Sequence, residues 1–293
     1  MVDNKQLPHQ VKEFSYSLPE LDVYGLETGQ EGSRIVLCLH GWLDNAASFL
    51  PLMNEFKNSH VIAIDWPGHG YSSHRGHDAH YHFIDYVYDL LLLFEFKNWQ
   101  SIDIVGHSMG GMIASAFAAA FPEKVNSLTL IDSIGFISAK AEESTAQLRN
   151  GMLSRLKLKT KKKPIHQTLE SAINARRSVS DLSYQAAELI VARGSISAQE
   201  GITWRSDSRL RNTSPYRLTL SQAKQFIKDI CVPVQLIYGD KGMEFVELGL
   251  RHYGPLYKQF TSHKLSGGHH VHMEQPKKSA QLIESFIVNN GNN

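Results

Sequence analysis

Cysteine is scarce in this sequence of 293 residues, which contains only Cys38 and Cys231. Two thiols cannot form a disulfide framework in a chain of this length, and both stand beside apolar runs, so we expect free thiols in a reducing compartment. The first ten residues, MVDNKQLPHQ, also lack the apolar segment of a secretory signal. These two features favour a cytoplasmic location.

Long hydrophobic runs and an excess of charge are missing as well. No stretch reaches the roughly 18 apolar residues of a membrane helix. Lys and Arg number 30 against 29 Asp and Glu, and the resulting net charge of +1 gives no electrostatic basis for binding nucleic acid or an anionic membrane. We therefore expect neither a nucleic-acid nor a membrane partner, and the composition indicates no particular oligomeric state.

The most informative stretch is SIDIVGHSMGGMIASAFAAAF, residues 101–121. Its apolar start predicts a buried strand, and its alanine-rich end before Pro122 predicts a helix. Between them stands G-x-S-x-G, centred on Ser108. Strand, sharp turn and helix are the context of a nucleophile elbow, in which small neighbours let the backbones approach and the serine stands exposed above a sheet. A dinucleotide-binding turn would instead require G-x-G-x-x-G followed by an acidic residue, which is not found here.

Strand-like and helix-like segments alternate on both sides of this stretch. Residues 14–28 predict an edge hairpin. Further core strands are predicted at 34–39, 61–64, 125–131, 232–238 and 259–265, with helices at 47–56, 83–96, 243–251 and 277–288. This alternation predicts an α/β fold with a doubly wound, mostly parallel sheet that binds ligands at the carboxyl ends of its strands.

The alternation breaks between residues 133 and 229, where helix-like segments occur without a convincing core strand. We expect a helical cap, or lid, inserted between the sixth and seventh core strands, with residues 1–132 and 230–293 forming the core. Large apolar residues of this insertion, such as Leu153 and Leu156, are expected to influence substrate size. Asp207, Arg209 and Arg211 are expected to tie the insertion to the core through ion pairs.

Four segments of the core resemble a known superfamily. They are HGWLDNAASF (40–49), DWPGHGYSS (65–73), GHSMGG (106–111) and GGHHVHMEQP (267–276). In this order they resemble the α/β-hydrolase fold superfamily and, more narrowly, its serine hydrolase-like proteins; the narrower likeness extends over residues 192–211. The resemblance implies a cofactor-free serine hydrolase whose triad follows the chain order serine, acid, histidine.

A serine hydroxyl needs a base within hydrogen-bond reach and donors for the oxyanion. In the resemblance the base directly follows a glycine and precedes a glutamate by five residues, which selects His269; His270 is the alternative if the register is shifted. The expected oxyanion donors are the backbone N–H groups of Met109 and Trp42. His40 is expected only to brace its loop.

The acid of the triad has two candidates. The usual position in the superfamily, the third residue past the glycine that ends the seventh core strand, holds Gly242 here. Asp240 is present nearby, directly after Gly239. Asp132 ends the preceding core strand, a position that part of the haloalkane dehalogenase family uses for its acid. We predict that Asp132 is the acid and keep Asp240 as the alternative.

The predicted reaction is hydrolysis of small carboxylic esters through an acyl-enzyme. C–C bond cleavage or another acyl-type hydrolysis would use the same triad, and a hydrolase-like binding protein without turnover is an alternative from another class. No metal is expected, because the histidine cluster formed by His74, His77, His80 and His82 matches no zinc spacing.

Overall fold

The computed structural model describes residues 10–158 and 162–290 of the chain. Its strands are β1 (Lys12–Ser17), β2 (Asp22–Thr28), β3 (Arg34–Leu39), β4 (Ser59–Ile64), β5 (Ile102–His107), β6 (Val125–Ile131), β7 (Ser138–Ala139), β8 (Ser195–Ala198), β9 (Gly201–Trp204), β10 (Leu218–Thr219), β11 (Val234–Gly239) and β12 (Phe260–Leu265).

The helices of the described residues are α1 (Leu50–Met53), α2 (Asp85–Lys97), α3 (Met109–Ala120), α4 (Ser144–Leu158), α5 (Leu169–Arg177), α6 (Tyr184–Gly194), α7 (Leu220–Asp229), α8 (Glu244–Tyr253), α9 (Val271–Glu274) and α10 (Pro276–Asn290). Short 3-10 turns lie at Ala46–Phe49, Pro122–Lys124, Ala141–Glu143, Ser208–Arg211 and Gly254–Leu256. None of the described helices is both long enough and apolar enough to cross a bilayer.

One eight-stranded sheet organises the fold, in the order β1-β2-β4-β3-β5-β6-β11-β12. The pairs β1–β2 and β2–β4 are antiparallel, and every other pair in this sheet is parallel. The predicted doubly wound, mostly parallel sheet is confirmed. The strand order reverses between β3 and β5, so the residues that follow these two strands meet at the carboxyl edge where ligands bind in such sheets.

The central strands are buried on both faces, which explains their continuous apolar sequences. In β3, Leu37 and Leu39 belong to the core cluster that includes α2 and α3, whereas Val36 and Cys38 belong to the cluster that includes α1 and α10. Burial raises the pKa of the Cys38 thiol, which therefore remains protonated inside the core. The alanines of α3 pack closely: Ala114, Ala116 and Ala118 are at most 1% exposed.

The chain between β6 and β11 adds no strand to the eight-stranded sheet over its described residues. Its short strands form two separate pairs, β7 with β10 and β8 with β9, and Ile202 of β9 also bridges to His166. Helices α5 and α6 form a small core of their own around Ile173 and Ile190. Helix α7 instead packs on α3, with Ala223 and Ile227 in the main core cluster.

A buried ion pair joins this intervening segment to the sheet. Arg193 of α6 is 7% exposed, and its Nη2 lies 2.9 Å from Oδ2 of Asp65, which follows β4 and is fully buried. Asp65 also accepts the backbone N–H groups of Ala46 and Tyr71. Because an unpaired buried charge is costly, this contact fixes the segment over the carboxyl edge.

Candidate active site

Ser108 stands between β5 and α3 in an unusual backbone conformation, with φ 50° and ψ −118°. Such values are rare for a residue other than glycine and are kept only where the surroundings enforce them. Two hydrogen bonds do so here. The N–H of Ser108 donates to the Ile131 carbonyl (3.1 Å), and the Ser133 hydroxyl donates to the Ser108 carbonyl (2.8 Å).

The glycines of G-x-S-x-G are required by close backbone contacts. A Cβ on Gly110 would overlap the Leu39 carbonyl oxygen at the end of β3, and a Cβ on Gly106 would lie 2.6 Å from the Cα of Gly111. The strand, the turn and the start of α3 can therefore pack this tightly only without side chains at these positions. The predicted strand–turn–helix is present.

His269 and Asp132 are brought into direct contact. Nδ1 of His269, in the loop after β12, lies 2.6 Å from Oδ2 of Asp132, directly after β6. Asp132 is fully buried and, like Ser108, has a positive φ, of 42°. Its carboxylate also accepts the backbone N–H groups of Gly239 (3.3 Å) and Met243 (3.1 Å). These donors hold a buried carboxylate in a fixed orientation toward the imidazole.

Two glycines after β11 make this contact possible, because β11 lies between β6 and β12. A Cβ on Gly239 would overlap the carbonyl oxygens of Gly267 and Gly268, so the loop carrying His269 can cross the end of β11 only over a glycine. A Cβ on Gly242 would overlap Oδ1 of Asp132. Gly242 occupies the position that usually bears the acid in the superfamily. Because it has no side chain, the Asp132 carboxylate occupies the space beside it.

Asp240 has a different environment. It is exposed, and its Oδ1 accepts the backbone N–H of Gly267 at 2.9 Å. This contact braces the glycine loop ahead of His269. Of the two candidate acids, the structure brings Asp132 and not Asp240 to the imidazole.

The loop after β3 lies against the nucleophile elbow. A Cβ on Gly41 would lie 3.1 Å from Cβ of Ser108, which puts the neighbouring Trp42 backbone beside the start of α3, where Met109 is the first residue. The Trp42 indole is 49% exposed and donates to the Leu210 carbonyl (3.0 Å). Its ring therefore anchors the intervening segment.

His40 is buried and fully satisfied within its loop. Its Nδ1 donates to the Gly41 carbonyl (2.7 Å), and its Nε2 accepts the Trp66 N–H (3.0 Å). Burial lowers the pKa of His40, so it is neutral, consistent with this pair of contacts. The expected bracing role is what its geometry provides.

His270 is held between two carboxylates, a feature that the sequence analysis missed. Its Nδ1 lies 2.9 Å from Oδ1 of Asp181 and its Nε2 lies 3.2 Å from Oδ2 of Asp44. Burial alone would lower the pKa of His270, but these carboxylates outweigh burial and raise it to about 9. An imidazolium with both N–H groups engaged cannot accept a proton, which disfavours His270 as the base.

The same network connects the segment between β6 and β11 to the loop of His269. Arg176 of α5 donates to Asp44 (Nη2 to Oδ1, 2.6 Å), and Asp181 accepts the backbone N–H of His269. Asp44 stands inside the HGWLDNAASF segment, and this position was the one sequence signal that could have indicated a functional contact.

Asp44, His107 and His270 also place three possible metal-ligand atoms within 4.8 Å of one another. Both nitrogens of His270, however, already face carboxylates.

His107 and His272 pack as neutral rings beneath these residues. Both are fully buried, with ring centroids 4.5 Å apart. Burial lowers the pKa of His107 well below its ordinary value, and Nε2 of this ring donates to the His269 carbonyl (3.0 Å). Burial likewise lowers the pKa of His272 to about 3.

The loop histidines lie apart from this cluster. His74 contacts Asp207 (3.4 Å), His82 contacts Arg155 (3.2 Å) and His80 contacts Asn212 (3.5 Å). These partners belong to the segment between β6 and β11. The histidines therefore serve as part of the contact between that segment and the loop after β4.

A cavity of about 1000 Å³ lies over Ser108 and His269. The core contributes Trp42 and Met243 to its lining, and the segment between β6 and β11 contributes Leu158, Val179 and Trp204 among others. Leu153 and Leu156 do not line it. The structure does not support the expectation that they influence substrate size, because they are 41% and 62% exposed and lie outside the cavity lining.

Comparison with known proteins agrees with this architecture. The profile of the α/β hydrolase fold matches residues 34–276. The chain belongs to this family. Within it, the chain is 30% identical over 287 residues to a serine hydrolase-like protein of Danio rerio, covering 94% of this chain and 88% of that protein. Human serine hydrolase-like protein 2 is 28% identical over 304 residues, covering 96% and 95%. The predicted likeness to serine hydrolase-like proteins is confirmed, and the chain is a hydrolase.

Solved structures show the same relationship. A hypothetical protein of Pseudomonas aeruginosa PAO1 is 36% identical with a TM-score of 0.88, covering 94% of this chain and 98% of that one. A thioesterase domain from the curacin biosynthetic pathway is 26% identical with a TM-score of 0.82, covering 94% and 99%.

Proposed function

We propose that this hydrolase cleaves small carboxylic esters through a triad of Ser108, His269 and Asp132. The observation that carries the proposal is the 2.6 Å contact of His269 with the buried Asp132, in a loop that lines the same cavity as Ser108. A carboxylate that holds Nδ1–H leaves Nε2 free to accept the proton of a serine hydroxyl. Both ring nitrogens of His270 are instead engaged by carboxylates, those of Asp181 and Asp44, which leaves no free nitrogen to act as a base.

In this mechanism Ser108 attacks the ester carbonyl while His269 accepts the serine proton. The oxyanion accepts the backbone N–H groups of Met109 and Trp42. His269 then returns the proton to the leaving alcohol, and water hydrolyses the acyl-enzyme by the reverse sequence. Asp132 remains ionised throughout and stabilises the imidazolium that forms. No cofactor or metal is required in any of these steps.

Residues 133–229 act in this proposal as a cap that shapes the cavity, while the sheet supplies the chemistry. The support is that Leu158, Val179 and Trp204 line the cavity from this range. Helix α7, which belongs to the same range, mainly covers α3.

The cytoplasmic location expected from the sequence stays a prediction.

Acyl thioesters are a second candidate substrate, favoured by the likeness to the curacin thioesterase domain. The triad and the acyl-enzyme would be the same, and only the leaving group would differ. C–C cleavage has no comparable support.

Turnover of 4-nitrophenyl esters of increasing acyl length tests the proposal. We expect measurable hydrolysis by the wild type and a loss of at least about 10³-fold in kcat for Ser108→Ala. Ser221→Ala, an exposed serine on α7, is the matched control and should retain full activity. Undiminished turnover by Ser108→Ala would refute the mechanism. A folded wild type that hydrolyses no ester or thioester would favour the binding-protein alternative.

A further inference from the structure

Cationic side chains outnumber carboxylates around the cavity. Among the described residues, the lining contains the five cations Lys162, Lys163, Arg176, Arg211 and Lys241, but only the two carboxylates of Asp44 and Asp181. The whole chain has a net charge of only +1, so this excess is local to the cavity.

The two carboxylates are already neutralised by cations other than Arg211 and the lysines. Asp44 contacts Arg176 (2.6 Å) and His270 (3.2 Å), and Asp181 contacts His270 (2.9 Å). With His270 protonated, these four groups balance one another. In the part of the chain that the structure describes, no ion pair engages Arg211 or the three lysines, so their charges remain available to a ligand.

Of the described cations that line the cavity, Arg211 is the one that lies beside the Trp42 ring. It ends the 3-10 turn Ser208–Arg211, and its guanidinium lies 5.9 Å from the centre of the Trp42 ring. The residue keeps contact with solvent, yet partial burial and the nearby Arg176 lower its pKa. No carboxylate contacts Arg211 in the described residues. The sequence predicted that Arg211, with Asp207 and Arg209, ties this segment to the core through ion pairs. The pair of Arg209 with Asp207 (2.7 Å) lies within the segment, and Arg209 reaches the core through hydrogen bonds to the carbonyls of Arg75 and Ala79.

The hydrogen-bond acceptors of Lys163 within the described residues are neutral. Its Nζ donates to the carbonyls of Trp204 (2.9 Å) and Arg205 (3.4 Å), and burial lowers its pKa. An ammonium has three donors, so one is left for a further acceptor. The nearby carboxylate of Asp207 opposes the lowering of this pKa but is itself paired with Arg209 at 2.7 Å, so a partly desolvated Lys163 would be stabilised further by an anionic ligand.

We propose that the substrate carries an anionic group, a carboxylate or phosphate, which Arg211 binds beside Trp42 with Lys163 as a second partner. This inference rests on the proposed ester hydrolysis and names its substrate class. Trp42, Arg211 and Ser108 line the same cavity, so an anion bound by Arg211 would share that cavity with the nucleophile. A planar guanidinium suits either group because it can donate two parallel hydrogen bonds.

Matched esters test on which side of the substrate the charge lies. The first pair, mono-4-nitrophenyl adipate and 4-nitrophenyl hexanoate, differs by a carboxylate on the acyl side of the ester. The second pair, 4-carboxyphenyl butyrate and 4-carbamoylphenyl butyrate, differs by a carboxylate on the alcohol side. In one of these pairs, the wild type should prefer the anionic ester. Arg211→Gln should lower the anionic-to-neutral ratio of kcat/KM at least tenfold, whereas Arg211→Lys should lower it less.

Arg149→Gln is the control, because Arg149 is an exposed cation of α4 outside the cavity, and its ratio should equal that of the wild type. A measurement without turnover complements the kinetics: adipate should raise the Tm of the wild type but not of Arg211→Gln, and hexanamide should raise neither. Hydrolysis of all four esters without a charge preference would overturn this inference and leave the proposed function intact. Adipate binding through Arg211 without turnover of any ester would support the anion site and refute the proposed ester hydrolysis.

Discussion

Asp132 and His269 lie 137 residues apart in the chain, yet Oδ2 of the first is 2.6 Å from Nδ1 of the second. The contact depends on Asp132 ending β6, on Gly239 letting the His269 loop cross β11, and on Gly242 leaving space for the carboxylate. Each of these conditions depends on the backbone at the carboxyl edge of the sheet. We infer that the acid position is set by which strand end leaves room for a carboxylate.

The first prediction follows from this contact. Asp132→Asn removes the charge that stabilises the imidazolium and should lower esterase kcat by about 10³- to 10⁴-fold with the circular dichroism spectrum unchanged. Asp240→Asn is the matched comparison, since it changes an exposed carboxylate that accepts the Gly267 N–H, and it should lose less than about tenfold. The reverse order of effects would show that Asp240 is the acid.

The second prediction moves the carboxylate. Gly242 does not have a left-handed backbone, and its Cβ would point into the space that the Asp132 carboxylate occupies. Asp132→Gly should lose at least about 10³-fold in kcat, and adding Gly242→Asp should recover at least tenfold. Gly242→Asp in the wild type should reduce activity, because two carboxylates would compete for one site. If the double variant is no more active than Asp132→Gly, residue 242 cannot supply the acid.

The sequence predicted the elbow and the order of the core elements because these are local patterns. Glycine spacing, apolar runs and an alanine-rich helix are each visible within 20 residues or so. The contacts of Asp44, Arg176, Asp181 and His270 were not predictable in this way, because they join three separate segments and none has a distinctive local pattern. For the same reason Leu153 and Leu156 could not be distinguished from Leu158, which lies on the same helix but lines the cavity.

The third prediction concerns stability and pH. The pKa of His270 is raised from about 6.5 in the unfolded chain to about 9 in the fold, so protonation favours the folded state. Its contribution to the free energy of unfolding is fully present below about pH 6.5 and is lost as the pH rises through about 9. The difference in this free energy between wild type and His270→Gln, from urea denaturation, should shrink from pH 6 to pH 9.5 by on the order of 3 kcal/mol. A constant difference would mean that folding does not shift the pKa of His270, and a difference that grows with pH would mean that His270 is held neutral in the fold.

The fourth prediction concerns the cavity wall. Leu158→Trp adds volume at the lining and should reduce kcat/KM for long acyl esters at least tenfold more than for the acetate. Leu156→Trp makes the same change two residues earlier, on the exposed face of α4, and should leave the chain-length preference unchanged. Equal loss on every ester in Leu158→Trp would indicate a folding defect instead.

The most direct test of the central claim is the site at which a fluorophosphonate attaches. Purified wild type should gain the mass of one adduct, and peptide mapping should place it on Ser108. Ser108→Ala should gain none, and Asp132→Asn should react more slowly by the same factor as its loss in ester turnover. Labelling of Ser108→Ala at the wild-type rate, or a folded wild type that does not react, would contradict the account.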